Sequence, residues 1–516
     1  MANTSLFRSF LGALLPGAHA RNEEGAPAYA LNAEQSLAQF AATGCLNTTF
    51  YATDARQLED VTTWAGRVSP EFVAKTALYC RERGHMKDMP AVLLALLSRR
   101  DPKLMDRVFD RVIDSPRMLR TFVQIVRSGA TGRKSLGSAP KRCVRRWLEA
   151  QTDVTILSAS VGNNPSLADV VRMVHPKPAT PGREALYGYL LGRTASPDTL
   201  PALVRQFEAF KRGDNRDVPD VPFQMLTALS LDRQAWTAIA RRASWQMTRM
   251  NLNTFARHGV FEDTAMVDVI ADRLRDHSEI SRARVFPYQL LAAFRSAGKG
   301  LPGAIRNALE DAMEHAIANV PAIDGQVYVC PDVSGSMQSP ITGVRKGSTT
   351  AVRCVDVAAL VSAAVLRRNP TAEVLPFEVD VVPVELSARD SVMTNAERLA
   401  AVGGGGTAVS APLARLNARQ AAGDLVIVVS DCESWADAAS HGTATMREWQ
   451  TFRARNPRAR LVLIDLQPYR TTQAADRADI LNVGGFSDQV FTVIAEFAAG
   501  RLRADHWVGQ IDAVSI

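Results

Sequence analysis

The sequence predicts a protein in two parts, an array of α-helices followed by an α/β domain built on a doubly wound parallel sheet. Three observations lead to this fold class. The chain has 516 residues, more than one hydrophobic core usually serves. Helical patterns follow one another up to about residue 320, and beyond it apolar, β-branched runs alternate with helical stretches.

The helical part consists of short segments with clear start signals. In "SPEFVAKTALYCRERG" (69–84), Ser69 is placed to cap a helix, Pro70 occupies its first position and Gly84 ends it. Further helices are predicted over 90–100, 102–114, 116–129 and 139–151. Short helices joined by tight turns favour stacked antiparallel pairs, as in an α-solenoid.

The second part alternates strands and helices. Strand-like runs occupy 326–330, 372–379, 424–430 and 459–466, and helical stretches occupy 352–368, 410–421, 443–454 and 489–500. Continuous apolar strands alternating with helices are typical of a parallel sheet that is covered on both faces. In such sheets ligands bind at the carboxyl ends of the strands, where the strand order reverses.

Composition limits the class of protein. The chain is 47% hydrophobic and 22% charged, as in ordinary soluble proteins, and no apolar run is long enough for a membrane-spanning helix. The N-terminal "SLFRSFLGALLPGAHA" imitates a signal peptide, but Arg8 and Pro16 interrupt its apolar core. The six cysteines are scattered, which disfavours a zinc site or a disulfide framework. We therefore expect a cytoplasmic protein without a membrane partner.

The positive charge is concentrated in the helical part. Residues 1–320 hold 42 Lys and Arg against 32 Asp and Glu, whereas residues 321–516 hold 18 against 21. Nine cations and no acid occur from Arg117 to Arg146: Arg117, Arg120, Arg127, Arg133, Lys134, Lys141, Arg142, Arg145 and Arg146. A stretch of one sign favours contact with phosphates, and the alternative is a solvated helix face, which usually mixes both signs.

Oxygen-bearing side chains follow three predicted strand or loop ends. Asp332, Ser334 and Ser336 lie in "VYVCPDVSGSM" (327–337), Thr407 follows four glycines, and Asp431 ends the run "VIVVSD". Two carboxylates and three hydroxyls are ligands that suit Mg²⁺. Each piece alone is also explained as a polar turn or a helix cap.

Catalytic motifs do not account for these residues. Ser334 lacks the Gly-x-Ser-x-Gly elbow, and no histidine is placed to activate it. The segment "GVRKGST" (343–349) is too short for a phosphate-binding loop, and glycines 403–406 lack the spacing of a dinucleotide fingerprint. We therefore predict that the protein is not an enzyme.

The oxygen donors resemble the metal-ion-dependent adhesion site of von Willebrand factor A domains, which is Asp-x-Ser-x-Ser with a later Thr and a later Asp. The resemblance implies Asp332, Ser334 and Ser336 as direct metal ligands, Thr407 as a ligand directly or through water, and Asp431 largely through water. Ala408 stands where the family usually has Asp, and the loop 339–352 is longer than in the family.

Local strings resemble the Ro autoantigen ribonucleoproteins, of a bacterial type, which join a TROVE module to an A domain. These strings are "LAQFAATGCLNTTFYA" (37–52), "LGSAPKRCVRRW" (136–147), "SLADVVRMVHPKP" (166–178), "PDVSGSM", "GGGGT" and "SDCES". The resemblance implies an N-terminal extension over 1–30, a TROVE domain of HEAT-like repeats over 31–320 that closes into a ring, and an A domain over 321–516.

The same resemblance implies the partners. Y-like noncoding RNA would bind the basic outer surface, single-stranded 3′ ends of misfolded RNA would enter a central hole, and an exoribonuclease would act with the protein in RNA quality control. Candidate RNA contacts are Arg127, Arg133, Lys134, Lys141, Arg142, Arg172, His175 and Lys177. His175 is the least decided of these, because a lone histidine is also common as a structural residue.

Two other functions remain open from the residues. In the first, the protein is an adhesion or protein-interaction module whose metal site captures an acidic side chain, and export to the cell surface would favour it. In the second, it is a metal-dependent hydrolase, which would need a general base near Asp332 that no motif supplies.

Overall fold

A computed structural model describes residues 17–43, 46–49, 51–162, 165–193, 196–283, 287–296, 300–317, 320, 322–343, 352–434, 442–485, 489–502 and 506–516. Most of the signal-like segment, Cys45 and most of the loop 339–352 lie outside the described residues. The chain forms two compact units. One comprises Met1–Glu59, Phe286–Ala292 and Met313–Gln510, and the other comprises Asp60–Val285, Ala293–Ala312 and Ile511–Ile516.

The helices are α1 (Ala33–Thr43), α2 (Asp54–Arg67), α3 (Pro70–Glu82), α4 (Asp88–Arg100), α5 (Pro102–Val112), α6 (Pro116–Ser128), α7 (Ser138–Ala150), α8 (Asp153–Ala159), α9 (Leu167–Val174), α10 (Pro181–Leu190), α11 (Ala202–Arg212), α12 (Phe223–Leu226), α13 (Arg233–Arg242), α14 (Trp245–Arg257), α15 (Thr264–Arg275), α16 (His277–Ala283), α17 (Pro287–Ser296), α18 (Gly303–Ile317), α19 (Cys354–Arg368), α20 (Val392–Ala400), α21 (Ala411–Ala418), α22 (Ala444–Arg455), α23 (Gln489–Ala498) and α24 (His506–Asp512). The strands are β1 (Ala20–Arg21), β2 (Pro27–Ala30), β3 (Val327–Pro331), β4 (Glu373–Val374), β5 (Leu425–Ser430), β6 (Arg460–Asp465), β7 (Thr471–Thr472) and β8 (Ile480–Gly484).

Helices α3 to α10 stack in two layers. Helices α3, α5, α7 and α9 pack in sequence along one layer, and α4, α6, α8 and α10 pack along the other. Each helix thus contacts the helix two places further along the chain, which is the pattern of an α-solenoid. The predicted solenoid of antiparallel pairs is confirmed over this stretch.

The helix starts follow from local chemistry. The side chain of Ser69 accepts a hydrogen bond from the Phe72 N–H at 3.1 Å, and Asp101 does the same for Leu104 at 2.9 Å. Proline, which lacks an N–H, occupies the first position of α3, α5 and α6, where an N–H would have no helical partner. The predicted starts of these three helices are confirmed, whereas α4 begins at Asp88, before the predicted 90.

The second part holds a five-stranded, all-parallel sheet in the order β4-β3-β5-β6-β8. Numbered within the sheet, this order is 2-1-3-4-5, so the direction of winding reverses between β3 and β5. Side chains from alternate positions, such as Tyr328 and Val426, pack with Trp449 and Phe452 of α22. Helix α19 packs against β3 and β5 as well. The predicted doubly wound fold is confirmed.

One predicted strand is shorter in the structure, and one strand and one helix of the second part were not predicted. The run 372–379 forms a strand only over Glu373–Val374, although the N–H groups of Leu375 and Phe377 still donate to the carbonyls of Val329 and Pro331. The last strand, β8, was not predicted, since its sequence "ILNVG" is short and contains no continuous β-branched run. Helix α20 was also not predicted.

The described residues 17–30 belong to the same compact unit as the parallel sheet. Strand β2 pairs antiparallel with β1 and with β7, joining Tyr29 to Thr472. Tyr29 is 3% exposed and belongs to the core cluster that contains Trp449. Tyr29, which lies in the predicted N-terminal extension, therefore contributes to the core of this unit.

Among the described residues, no helix combines the length and the apolar character that crossing a membrane requires. Five cysteines, Cys80, Cys143, Cys330, Cys354 and Cys432, are buried thiols.

Candidate metal centre and nucleic-acid interface

The predicted metal residues meet at the switch point of the sheet. Asp332 directly follows β3 and Asp431 directly follows β5, the two strands between which the winding reverses. The Asp332 N–H donates to the carbonyl of Val429 at 2.8 Å, which continues the ladder by one residue. Carboxyl ends of parallel strands diverge at such a point and leave a crevice for a ligand.

Short hydrogen bonds orient the Asp332 carboxylate. Its Oδ1 accepts from the Ser334 N–H at 2.8 Å, and its Oδ2 accepts from the Ser430 hydroxyl at 2.5 Å. The hydroxyls of Ser334 and Ser336 lie 3.3 Å apart. Asp332 and Ser334 are fully buried, and Ser336 is 8% exposed.

The glycine-rich loop brings Thr407 to the same place. The N–H of Gly335 donates to the carbonyl of Gly405 at 2.9 Å. Gly403 has φ +85°, and a Cβ at this position would lie 2.3 Å from the Val333 carbonyl oxygen, so only glycine permits this approach. The Ser434 hydroxyl donates to the Thr407 carbonyl at 3.4 Å, which joins the loop to the segment that begins at Asp431.

Four carboxyl groups are buried around this point. Burial, together with the charge of Asp431, raises the pKa of Asp332 to about 7. Burial also raises the pKa of Asp431, and a hydrogen-bonding interaction with Ser336 partly offsets it. The pKa of Glu433 is raised to about 9 by burial and by Asp465, and that of Asp465 is raised well above its ordinary value by burial and by Asp431. The crowded carboxylates favour a bound cation.

The residues present fit a divalent metal ion. The Oδ2 atom of Asp431 is buried and has no hydrogen-bond partner in the described part of the chain. The same part contains no group of three or more His, Cys, Asp and Glu with metal-binding geometry, so a metal here would depend on the hydroxyl oxygens. Hard oxygen ligands with few carboxylates are typical of Mg²⁺.

Sequence reasoning missed several residues of this centre. Ser430 and Asp465 both end buried strands, as Asp431 nearly does, and that position was the available signal. Tyr51 had no such signal. Burial and the charge of Asp431 raise the pKa of Tyr51, and an interaction with the Ser336 hydroxyl partly offsets this rise. The Tyr51 phenol therefore lies near the centre.

The candidate RNA contacts fall into two groups. The first lies where α6 ends and α7 begins: Arg127, Arg133, Lys134, Lys141 and Arg142. Four of these side chains are exposed. Arg133 is half-buried, and its guanidinium donates to the carbonyls of Ser98 at 2.9 Å and Leu136 at 3.3 Å. Arg133 therefore shapes the loop and is the member of this group least free to reach a phosphate.

The second group, Arg172, His175 and Lys177, lies at the end of α9 and is exposed. The Arg145 guanidinium donates to the Val174 carbonyl at 2.7 and 2.9 Å, and the Lys177 N–H donates to Glu149 at 3.1 Å. These contacts hold the end of α9 beside the last turns of α7. The two groups thus lie at opposite ends of α7. Lys141 of the first group and Glu149, which bonds the second, are about 12 Å apart along the helix axis, which rises about 1.5 Å per residue.

His175 has an unusual backbone and a cavity beside it. Its φ of 50° is left-handed, a conformation that few non-glycine residues adopt. The cavity has a volume of about 560 Å³, and Arg172, His175, Tyr187 and Arg193 are among its lining residues. The bend turns the chain out of α9 and leaves the imidazole at the surface.

Acidic neighbours engage only some of the cations. Arg146 pairs with Asp106 at 2.5 Å and with Asp110 at 3.0 Å, so it is a structural residue. Arg142 lies 3.8 Å from Asp106, and its side chain is 63% exposed. A long, exposed ion pair of this kind leaves the guanidinium available to another anion.

A solenoid of helix pairs together with a doubly wound sheet that carries oxygen donors at its switch point defines a helical-repeat protein with a von Willebrand factor A domain. The family model described as the Ro60 vWA domain matches residues 326–498. RNA-binding protein RO60 of Deinococcus radiodurans is 26% identical over 519 residues, which cover 93% of this chain and 96% of the relative.

A second relative and a solved structure agree with this class. RNA-binding protein RO60 of Caenorhabditis elegans is 23% identical over 252 residues, or 46% of this chain and 38% of the relative. The crystal structure of the Deinococcus radiodurans RO (RSR) protein matches with a TM-score of 0.63 and 22% identity, covering 91% of this chain and all of that one. The chain is thus similar to Ro proteins over almost its whole length, and its A domain matches the Ro60 family model.

Proposed function

We propose that this chain is a non-enzymatic, cytoplasmic RNA-binding protein whose TROVE domain (31–320) binds a small noncoding Y-like RNA. The run of nine cations without an acid from Arg117 to Arg146 carries the proposal. Lys134, Lys141 and Arg142 of this run are exposed at one end of α7. The name of the Deinococcus radiodurans relative, RNA-binding protein RO60, supports the same function.

The two groups at the ends of α7 supply different chemistry. Arg127, Lys134, Lys141 and Arg142 neutralise phosphates and release counterions, with a weaker contribution from the half-buried Arg133. At the end of α9, Arg172 and Lys177 flank His175, whose imidazole stacks on an unpaired base or donates a hydrogen bond to it. The cavity beside His175 offers room for such a base.

A second part of the proposal concerns RNA ends. Single-stranded 3′ ends of misfolded RNA enter the hole of a ring of HEAT-like repeats, and an exoribonuclease partner then processes them in RNA quality control. The Ro family resemblance supports this part. A free end is required because a closed RNA cannot thread through a hole.

We further propose that Asp332, Ser334, Ser336, Thr407 and Asp431 hold Mg²⁺ or another divalent cation in the A domain (321–516). The buried and unpartnered Oδ2 of Asp431 supports this assignment. The ion would neutralise the crowded carboxylates and polarise an oxygen ligand. Asp332 orients the Ser334 segment, and Ser430 fixes Asp332 in turn.

Sequencing of RNA crosslinked to the full-length protein in its own cells tests the proposed function. We expect strong enrichment of one or a few structured noncoding RNAs, with crosslinks in the region of α7 and α9. Filter binding of the purified protein to the recovered RNA should then decrease steeply with salt. Recovery of no enriched RNA would contradict the proposal and favour a protein-interaction module.

A further inference from the structure

N-terminal residues lie directly against the loop that carries Asp431. The side-chain amide of Asn22 donates to the Ser434 carbonyl at 2.8 Å, and the Glu23 N–H donates to the Glu433 carboxylate at 2.8 Å. Arg56 holds Glu23 through two hydrogen bonds of 2.8 and 2.9 Å. This part of the chain is therefore fixed within three residues of a proposed metal ligand.

A second N-terminal segment lies beside the first. The Asn47 amide donates to the Thr342 carbonyl at 2.7 Å, and the Tyr469 hydroxyl donates to Thr49 at 3.0 Å. The ring of Tyr51 packs edge-on against Tyr469, with centroids 5.7 Å apart and an interplanar angle of 84°. We call residues 22–24, 47–49 and 51 together the N-terminal cover.

The cover approaches the metal centre at Tyr51, whose phenol interacts with the Ser336 hydroxyl and with the charge of Asp431. None of the five proposed metal residues is more than 8% exposed. A metal site that captures a partner's carboxylate needs an open coordination position towards solvent. Here Asn22 and Glu23 of the chain's own N-terminal part bond to Ser434 and Glu433, close to Asp431, and Tyr51 lies beside Tyr469.

We propose that the N-terminal cover closes the metal centre, with Tyr51 as the residue that excludes carboxylate ligands from other proteins. The bound ion is then a structural ion of this unit and not a docking point for a partner. The inference rests on the proposed metal site, and it goes beyond it by defining what the ion can contact. Tyr51 acts by occupying space and by facing Ser336, not as a metal ligand.

The test uses the full chain loaded with Mn²⁺, a paramagnetic substitute for Mg²⁺, and acetate as the carboxylate probe. Mn²⁺ affinity is measured by electron paramagnetic resonance, and access of water and acetate by water proton relaxation. The variants are Tyr51→Ala, Tyr51→Phe and Asn47→Ala. Tyr328→Phe is the matched control, because its hydroxyl bonds the Ala422 carbonyl at 2.7 Å, away from the metal residues.

We expect the unmodified protein and Tyr328→Phe to bind Mn²⁺ without responding to acetate. Tyr51→Ala should bind Mn²⁺, gain at least one exchangeable water and lose it again when acetate is added. Asn47→Ala loosens the cover without changing a group at the centre, so it should gain acetate access even if Tyr51→Ala fails to fold. Tyr51→Phe keeps the ring and should stay closed.

Two results would overturn the inference. One is acetate binding to the unmodified protein as tight as to the open variants. The other is continued closure of folded Tyr51→Ala and Asn47→Ala. If the unmodified protein binds no Mn²⁺, the metal site itself is wrong and the inference falls with it, an outcome that the affinity measurement identifies separately.

Discussion

Replacing Lys141 and Arg142 together with Ala isolates the phosphate contacts at the start of α7. Both side chains are exposed, and the ion pair of Arg142 with Asp106 is long, at 3.8 Å. Exposed pairs of this kind contribute about 0–1 kcal/mol to stability. Asp106 also keeps Arg146 at 2.5 Å and the Cys143 thiol at 3.1 Å. Since Ala favours helix, the fold should survive the change.

The expected loss concerns RNA affinity. Hydrogen bonds to charged groups contribute about 1–3 kcal/mol, so affinity should fall by roughly 5- to 150-fold if both residues contact phosphate. Each lost phosphate contact also flattens the dependence of log affinity on log salt by about 0.7–0.9. The pair should therefore reduce this slope by about 1.5.

Filter binding over a series of salt concentrations measures both quantities, and circular dichroism checks the fold. The matched control is Arg415→Ala with Arg458→Ala, two exposed cations of the A domain. Arg419 is unsuitable as a control, because it pairs with both oxygens of Glu373 at 2.6 and 2.7 Å. If the control weakens binding as much as the Lys141 and Arg142 pair, binding is diffuse electrostatics and the proposed RNA surface is wrong.

Four further predictions follow from the same contacts. Asp332→Ala should weaken Mg²⁺ binding by about tenfold or more, measured by calorimetry, while RNA affinity, measured by filter binding, stays nearly unchanged. A large loss of RNA binding by the folded variant would mean that RNA reaches the metal. Without divalent metal, the free energy of unfolding should decrease as the pH rises from 3.8 towards 7, because the folded protein holds a proton on Asp332 that the unfolded chain releases. Mg²⁺ should reverse this trend in thermal unfolding. A flat pH profile would contradict the raised pKa of Asp332. A linear RNA with a single-stranded 3′ tail should bind more tightly than its circular form, and equal affinities would exclude threading. Gly403→Ala should lower the free energy of unfolding of the A domain by about 2 kcal/mol or more in denaturant unfolding. Ser166→Ala removes the cap of α9 and should lower the free energy of unfolding by about 1 kcal/mol. Equal effects would contradict the close approach of Gly403 to Val333.

The sequence alone determined the succession of helices, the doubly wound sheet and the identity of the oxygen donors. These features depend on local chemistry that is repeated along the chain. Ser69 and Pro70 start a helix wherever the chain leads next, and continuous apolar runs such as 424–430 can only be buried on both faces. Because Asp332 and Asp431 each follow a strand directly, their meeting at one edge followed from the parallel sheet.

Only the tertiary structure decided which side chains are available and what surrounds them. Of two neighbouring cations with similar sequence contexts, Arg146 is committed to Asp106 and Asp110, while Arg142 remains exposed. Tyr51 reaches Ser336 across nearly 300 residues of chain, and no periodicity or motif records such a contact. Pairing between distant residues depends on how helices and strands pack, and the energy of that packing is not contained in any short stretch of sequence.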